Sequence, residues 1–394
     1  MENDILFTVD QEMMVAIRRE LHMYPELGWE LEKTSALVRK TLDEIGVPYE
    51  ADVYGKNTVV ATINGHIDRF TIGIRADMDA LPIQEAPSDK PYRSRIDGQM
   101  HACGHDAHTA IALDACRRLA EMRDKLNCRV KFIFQAAEEL PPSGAMLMVE
   151  DGLMNDIDVV IALHVTASCN AGKILLSPGP RNATSDGFHL EFYGKAAHAA
   201  NQHTGVDAIM MAVKAYTEIE FMIAKEIKAS NPVVFNVGAF NGGTANNIVC
   251  DRCSLYCTLR THEASDAELI IGKIKRIIAN IADVAGGRAE FIQDKHYPTV
   301  INDERITNLL RESAEKVIGN DNILPHKTRS MGGEDFAYML NQKPGCMFYL
   351  GIANEALGYT TGLHKDNFMI DESALAVGSD IFVQFVLDHM NGIG

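Results

Sequence analysis

Val130-Lys131-Phe132-Ile133-Phe134 runs through Gln135-Ala136-Ala137 straight into Glu138-Glu139, an apolar, aromatic stretch that ends on two adjacent carboxylates. The run has the length and β-branched or aromatic content of a buried strand. Working outward, the same form recurs twice. Residues 71–74 read as a strand opening into Arg75-Ala76-Asp77-Met78-Asp79, and 159–163 is an apolar run that stops at His164. Helix-like spacing at 11–20, 33–45 and 107–123 separates these strands, with Asp106 the expected N-cap of the third helix. Strands alternating with helices predict an α/β fold, and sites in open α/β sheets gather beyond the carboxyl ends of the strands.

Beyond 177–184, SPGPRNAT, the apolar pattern lapses and then changes style, so this stretch reads as a linker. Residues 187–193 alternate like a half-exposed strand, 206–224 and 264–284 are helical, and 233–260 holds two or three strands with a Gly242-Gly243 turn. Two strand–helix units of this kind predict a small ferredoxin-like layer. The pattern breaks at Tyr297-Pro298, and helices are expected at 303–318 and 372–389. The expected organisation is therefore residues 1–182 with 297–394 as one domain, and 183–296 inserted into it.

The 394 residues carry 37 Lys or Arg against 54 Asp or Glu, and 37 − 54 gives a net charge of −17. That balance, with no basic cluster, argues against nucleic acid as a partner. No apolar run approaches the length of a membrane span. The N-terminal MENDILFTVDQEMM lacks a basic segment before an apolar core, so no secretory signal is expected. Eight cysteines are too few for a disulfide scaffold in a chain this long, which favours the cytoplasm.

Met100-His101-Ala102-Cys103-Gly104-His105-Asp106-Ala107-His108 is the strongest local signal for chemistry. Thiolate and imidazole ligate borderline divalent ions such as zinc. Gly104 between Cys103 and His105 permits a bend that aims both side chains one way; His101 and His108 read as packed residues. Successive strand side chains face opposite ways, so Glu138 and Glu139 are expected to take separate tasks, one on a metal and one on the substrate. His164 and His364 say little alone, whereas Asp77 and Asp79 cap a strand where they would bind metal or orient imidazoles. Cys253, Leu255, Cys257 and Leu259 alternate as one buried strand face, not a metal cluster. No Gly-x-Ser-x-Gly elbow is present, and Asn241-Gly242-Gly243-Thr244 lacks the lysine of a phosphate loop.

Taken together, RRELHMYPELGWE (18–30), RADMDALPIQE (75–85), MHACGHDAHTA (100–110), FQAAEE (134–139), ALHV (162–165), GKAAHAA (194–200), MGGEDFAYM (331–339) and GLHKDNF (362–368) resemble the two-metal aminoacylase/carboxypeptidase family. The resemblance is to its amidohydrolase branch, with hippurate hydrolases, indole-acetyl-amino-acid hydrolases and N-acetyl-diaminopimelate deacetylases. It implies a mixed-sheet di-metal hydrolase domain carrying an inserted lid and dimerisation domain. It also implies two divalent ions, Zn or Mn with Co or Ni as alternatives, on Cys103, His105, Glu139, His164 and His364. Glu138 matches the general base, Asp79 the orienting aspartate and His198 a lid histidine that steadies an oxyanion. Asn247 and Arg260 match positions that hold the substrate carboxylate or the oxyanion; a plain salt bridge is the alternative for Arg260. Asp77 stands where other branches have a metal-binding histidine, which gives it a supporting place behind the ligands. Gln202, Cys250 and Lys365 depart from the family's usual proline, proline and serine. The implied activity is metal-dependent hydrolysis of N-acyl amino acids or related small amides by a homodimer or higher homo-oligomer. A dipeptidase or carboxypeptidase, and an inactive binding subunit, are the alternatives.

Overall fold

The computed structural model describes residues 8–66 and 70–393. It divides into two units. Unit 1 runs to Gly179 and resumes at Ile301–Lys327 and Asp335–Gly394; unit 2 comprises Pro180–Val300 and Thr328–Glu334. In chain order unit 1 begins with α1 (Gln11–Met23), α2 (Glu32–Ile45), β1 (Tyr49–Ala51), β2 (Val59–Asn64) and β3 (Thr71–Asp77). It continues through α3 (His105–Glu121), β4 (Arg129–Gln135), α4 (Gly144–Glu150), β5 (Val159–Asn170) and β6 (Ile174–Leu175). Unit 2 supplies β7 (Ser185–Tyr193), α5 (Ala208–Glu226), β8 (Val233–Gly242), β9 (Arg252–Thr261), α6 (Ala264–Ala285) and β10 (Arg288–Tyr297). The chain returns to unit 1 as α7 (Glu304–Ile318), β11 (Ile323–Leu324), α8 (Phe336–Leu340), β12 (Gly345–Ala353) and α9 (Ala374–His389).

Unit 1 is built on an eight-stranded mixed sheet in the order β1-β2-β4-β3-β5-β12-β6-β11. Its centre is parallel: β3 pairs with β4 and β5, and β5 with β12. The β1, β2 edge is antiparallel. Strand alternation sorts the side chains by face. Ile72, Ile74, Phe132, Phe134, Ile161, Leu163 and Phe348 share one core with residues of α1, α3 and α9. Arg75, Asp77, Gln135 and His164, one position out of phase with that set, point to the other face and are nonetheless buried. At roughly 25 cal/mol per Å² of apolar surface, the first face holds the sheet to its helices and leaves the second free for polar groups.

The third helix begins two residues earlier than its periodicity suggests. Gly104, left-handed at φ 83°, occupies the N-cap, and Asp106 lies inside the first turn. Asp106 therefore does not cap the helix from outside; its carboxylate turns to α1 instead, as described below. Unit 2 is an antiparallel sheet in the order β8-β9-β7-β10 with α5 and α6 as its two helices. Cys253, Leu255, Cys257 and Leu259 sit in its core, as their alternation predicts. The 177–184 stretch is not a loose linker. Arg181, Asn182, Ala183 and Thr184 are buried, and their backbone groups bond Val300, Ser330 and Thr261 within unit 2. Proline and glycine set the turns here, but neighbouring backbone claims the polar groups. All eight cysteines are free thiols. Among the described residues no helix is long and apolar enough to cross a membrane.

Candidate metal centre

The sheet delivers its ligand-type residues to one place. β3 ends at Asp77, β4 leads to Glu138 and Glu139, β5 carries His164, the loop before α3 holds Cys103, and α3 opens with His105. Three overlapping groups have ligand atoms within 4.8 Å of one another: Cys103, His105 and His164; Cys103, Glu139 and His364; and His105, Glu138 and Glu139. The first two share Cys103, so its sulfur stands between two potential ion positions.

Local geometry prepares each side chain. His164 donates from Nδ1 to the carbonyl of Val165 at 2.8 Å, which leaves the Nε2 lone pair facing Cys103 Sγ at 3.4 Å. That tautomer is the one a ligand needs. His364 Nε2 lies 3.3 Å from Cys103 Sγ and 3.3 Å from Glu139 Oε1. Its backbone is left-handed at φ 60° and its N–H donates to Ala102 at 2.8 Å, tying it to the Cys103 loop. Gly104 admits no side chain, because a Cβ there would lie 2.4 Å from Val165 Cγ2.

Glu138 and Glu139 follow a break in the strand. β4 stops at Gln135, and Ala137 adopts φ 53°, a conformation that costs an alanine about 1–2 kcal/mol. The expected alternation across strand faces does not apply here. Instead Asp79 gathers both residues, with Oδ1 accepting from the Glu138 N–H at 3.1 Å and Oδ2 from the Glu139 N–H at 3.0 Å. One carboxylate thus orients both glutamates through their backbone.

Asp77, His105 and His108 form a fourth close group, but His108 is fully engaged. Its Nδ1–H donates to Asp77 at 2.5 Å and its Nε2 accepts from the Val165 N–H at 2.9 Å. Burial keeps it neutral, with a pKa lowered to about 4. Arg75 bonds Asp77 at 2.6 Å and Asp335 at 2.7 Å, and Gln135 and Ser143 also donate to Asp335. This polar layer lies on the buried second face of the sheet. No local motif announces Arg75, Gln135, Ser143 and Asp335 as a set; a glutamine and an arginine in otherwise apolar strands are the available signal.

The electrostatics call for a cation. Cys103 is buried beside Glu139, Glu138 and Asp77, and burial, then those charges, push its thiol well above its usual range. His105 shows the converse. Burial opposes its charge, yet Asp77, Asp79 and Glu139 raise it to about 10. Both its ring nitrogens are buried and none has a hydrogen bond, although Asp79 lies 3.4 Å from Nδ1. A thiol that ionises only beside positive charge, orphaned imidazole nitrogens and surplus carboxylates together suit divalent ions.

The remaining expected residues belong to unit 2. His198 is exposed, and its Nδ1 accepts from the Ala200 N–H at 3.1 Å, so in the neutral ring Nε2 carries the proton. Asn247 is exposed and its carbonyl accepts from Ala199, bracing the same turn. Arg260 is half-buried and gives one guanidinium N–H to the Met331 carbonyl at 2.8 Å.

Similarity to known proteins agrees with this arrangement. The chain is 34% identical over 377 residues to an N-acetyl-L-cysteine deacetylase of Bacillus subtilis, covering 96% of this chain and 88% of the relative. It is 32% identical to thermostable carboxypeptidase 1 of Saccharolobus solfataricus, over 94% of this chain and 93% of that protein. The crystal structure of the Bacillus subtilis YXEP protein, a dinuclear metal-binding peptidase, superposes with a TM-score of 0.81 at 30% identity, covering 96% of this chain and 98% of the other. The sequence model of peptidase family M20/M25/M40 matches residues 73–388, which takes in every residue of the Cys103 cluster and most of both units. By sequence and by fold alike, the chain belongs to that family of metal-dependent hydrolases.

Proposed function

We propose that the protein hydrolyses the amide bond of N-acyl amino acids or related small conjugates, with Glu138 as general base. The observation that carries this reading is the pair of ligand groups sharing Cys103, with Glu138 in the adjoining group. Cys103, His105 and His164 would hold one divalent ion, and Cys103, Glu139 and His364 the other. Bound there, the ions supply the positive charge that acidifies a water and polarises an acyl oxygen.

The chain's own groups do the rest. Glu138, held through its N–H by Asp79, takes the water's proton and returns it to the departing nitrogen. His198 presents an Nε2–H, the donor that a developing oxyanion requires. Arg260 keeps further guanidinium donors for a substrate carboxylate beyond the one spent on Met331. Unit 2 would serve as lid and as the contact of a homodimer, and eight free thiols suit a reducing cytoplasm.

A dipeptidase or carboxypeptidase is the second reading, favoured by the carboxypeptidase similarity. Amine release from a panel of N-acyl amino acids and dipeptides separates the two. The protein is stripped with chelator and refilled with Zn, Mn, Co or Ni. Metal-restored release from acylated substrates is expected; preference for a free α-amino group would overturn the deacylase reading. Two bound ions with no turnover of either class would overturn both.

A further inference from the structure

We propose that His22, with Arg18, Asp106 and Glu85, is a positioning device that fixes the Cys103–His105 loop from behind and so sets the ion position of Cys103, His105 and His164. The inference rests on the ligand assignment above and adds residues to it. None of the four belongs to the ligand groups around Cys103.

The set begins in α1, where Arg18 and His22 stand four residues apart on the same face, on a stripe shared with Met14, Ile17 and Leu21. Both are buried, as are Asp106 and Glu85. Asp106 follows ligand His105 directly. Its Oδ2 pairs with the Arg18 guanidinium, 2.9 Å from Nε, and lies in hydrogen-bond contact with His22 Nδ1 at 2.8 Å. On the ring's other side, His22 Nε2 is 3.5 Å from Glu85 Oε2. Glu85 also accepts from the Ser94 N–H at 2.7 Å, and the next residue, Ala86, donates to Asp366, two positions past ligand His364. A single imidazole thus stands between the first turn of α3 and the segment tied to His364.

Stability alone is a poor reason for this arrangement, since apolar residues of similar volume often serve a core as well as buried charges do. What charges add is direction. Short, angled contacts fix the first turn of α3, whereas an apolar contact lets it slide. Gly104 holds the other side of the loop against Val165, so the ligand pair is gripped front and back. Partners behind metal ligands typically govern affinity by 10–100-fold.

The two nitrogens of His22 can be tested apart, because asparagine places its amide near Nδ1 and glutamine near Nε2. Co(II) is titrated into chelator-stripped protein, with thiolate-to-cobalt absorption reporting Cys103 and a competing chelator giving both affinities. Wild type should take two ions. In His22→Gln and Asp106→Asn one of the two affinities, that of the ion on Cys103, His105 and His164, should fall about 10–100-fold while the other is unchanged. His22→Asn should stay within about threefold of wild type, since its link to Asp106 survives. Unchanged affinities in His22→Gln, equal losses in His22→Asn and His22→Gln, or a loss common to both ions would each overturn the proposal. Should Asp106→Asn fail to fold, the two His22 variants decide the matter. Wild type binding no cobalt would instead defeat the ligand assignment, a distinguishable failure.

Discussion

Gly104→Ala probes how tightly the metal-binding loop is held. The residue sits at φ 83°, which costs an alanine about 1–2 kcal/mol. The new Cβ would also lie 2.4 Å from Cγ2 of Val165, a fully buried side chain, and overpacking of this kind costs about 1–3 kcal/mol. The expected loss is about 2–5 kcal/mol. Trp29 makes the assay clean: it is the only tryptophan, it lies in unit 1, and its indole N–H donates to Pro142 at 3.0 Å. Urea unfolding of metal-free protein followed by its fluorescence therefore reports unit 1. Val165→Ala separates the two costs. Alone it should destabilise by roughly 2 kcal/mol, two methyl groups and a cavity. In the double variant the clash disappears and the backbone cost stays, so the combined loss should fall short of the sum by about 1–3 kcal/mol. Additivity within about 0.5 kcal/mol, or a Gly104→Ala cost below about 1 kcal/mol, would refute the close packing of the loop.

Glu138→Gln should lower kcat by about 10²–10⁴-fold with both ions still bound, measured by amine release and metal content. For His198, glutamine keeps an N–H donor and should retain more activity than alanine, which should lose about 10²–10³-fold in kcat. Glu85 gives a pH prediction. Burial opposes its charge, but His22, the Ser94 N–H and Lys90 lower its pKa to about 2 from 4.5. A depressed carboxylate stabilises the fold above its unfolded pKa, and that contribution fades as pH falls toward the folded value. The stability gap between wild type and Glu85→Gln, read by Trp29 fluorescence without metal, should shrink by about 3 kcal/mol from pH ~6 to pH ~2. A constant gap would refute it. Cys103→Ser should weaken both ions, since the sulfur borders both ligand groups, and equilibrium dialysis would show the loss.

Much of the site is legible because the fold sends chemistry to strand ends. Val130–Phe134 and the run before His164 announce β4 and β5, and the ligand-type residues follow at once. Periodicity also places α6, α7 and α9 within about two residues. What stays hidden depends on partners distant in sequence. Asp106 looks like a helix cap because a local rule favours it, but Arg18 and His22, more than eighty residues earlier, claim its carboxylate. His108 reads as a packed residue from sequence, but the partners that hold it, Asp77 and Val165 on its two nitrogens, are not announced there. The left-handed Ala137 carries no sequence signal, since alanine rarely adopts that conformation and nothing nearby in the chain demands it.

The pairing of β5 with β12 has a consequence for biosynthesis. Val160 pairs with Gly345, 185 positions later. At roughly 5–20 residues per second, a ribosome needs on the order of 10–40 s to make the intervening chain. During that interval nearly all of unit 2, Pro180–Val300, emerges and has its own core to collapse upon. The half-made sheet of unit 1 meanwhile shows the open edge of β5, rich in valine and isoleucine, beside a thiol and carboxylates that still lack His364. Unpaired edges of this kind recruit other chains. Nascent or truncated products ending near residue 300 are thus the form of this protein most in need of a chaperone, and the last hundred residues both close the sheet and complete the ligand set.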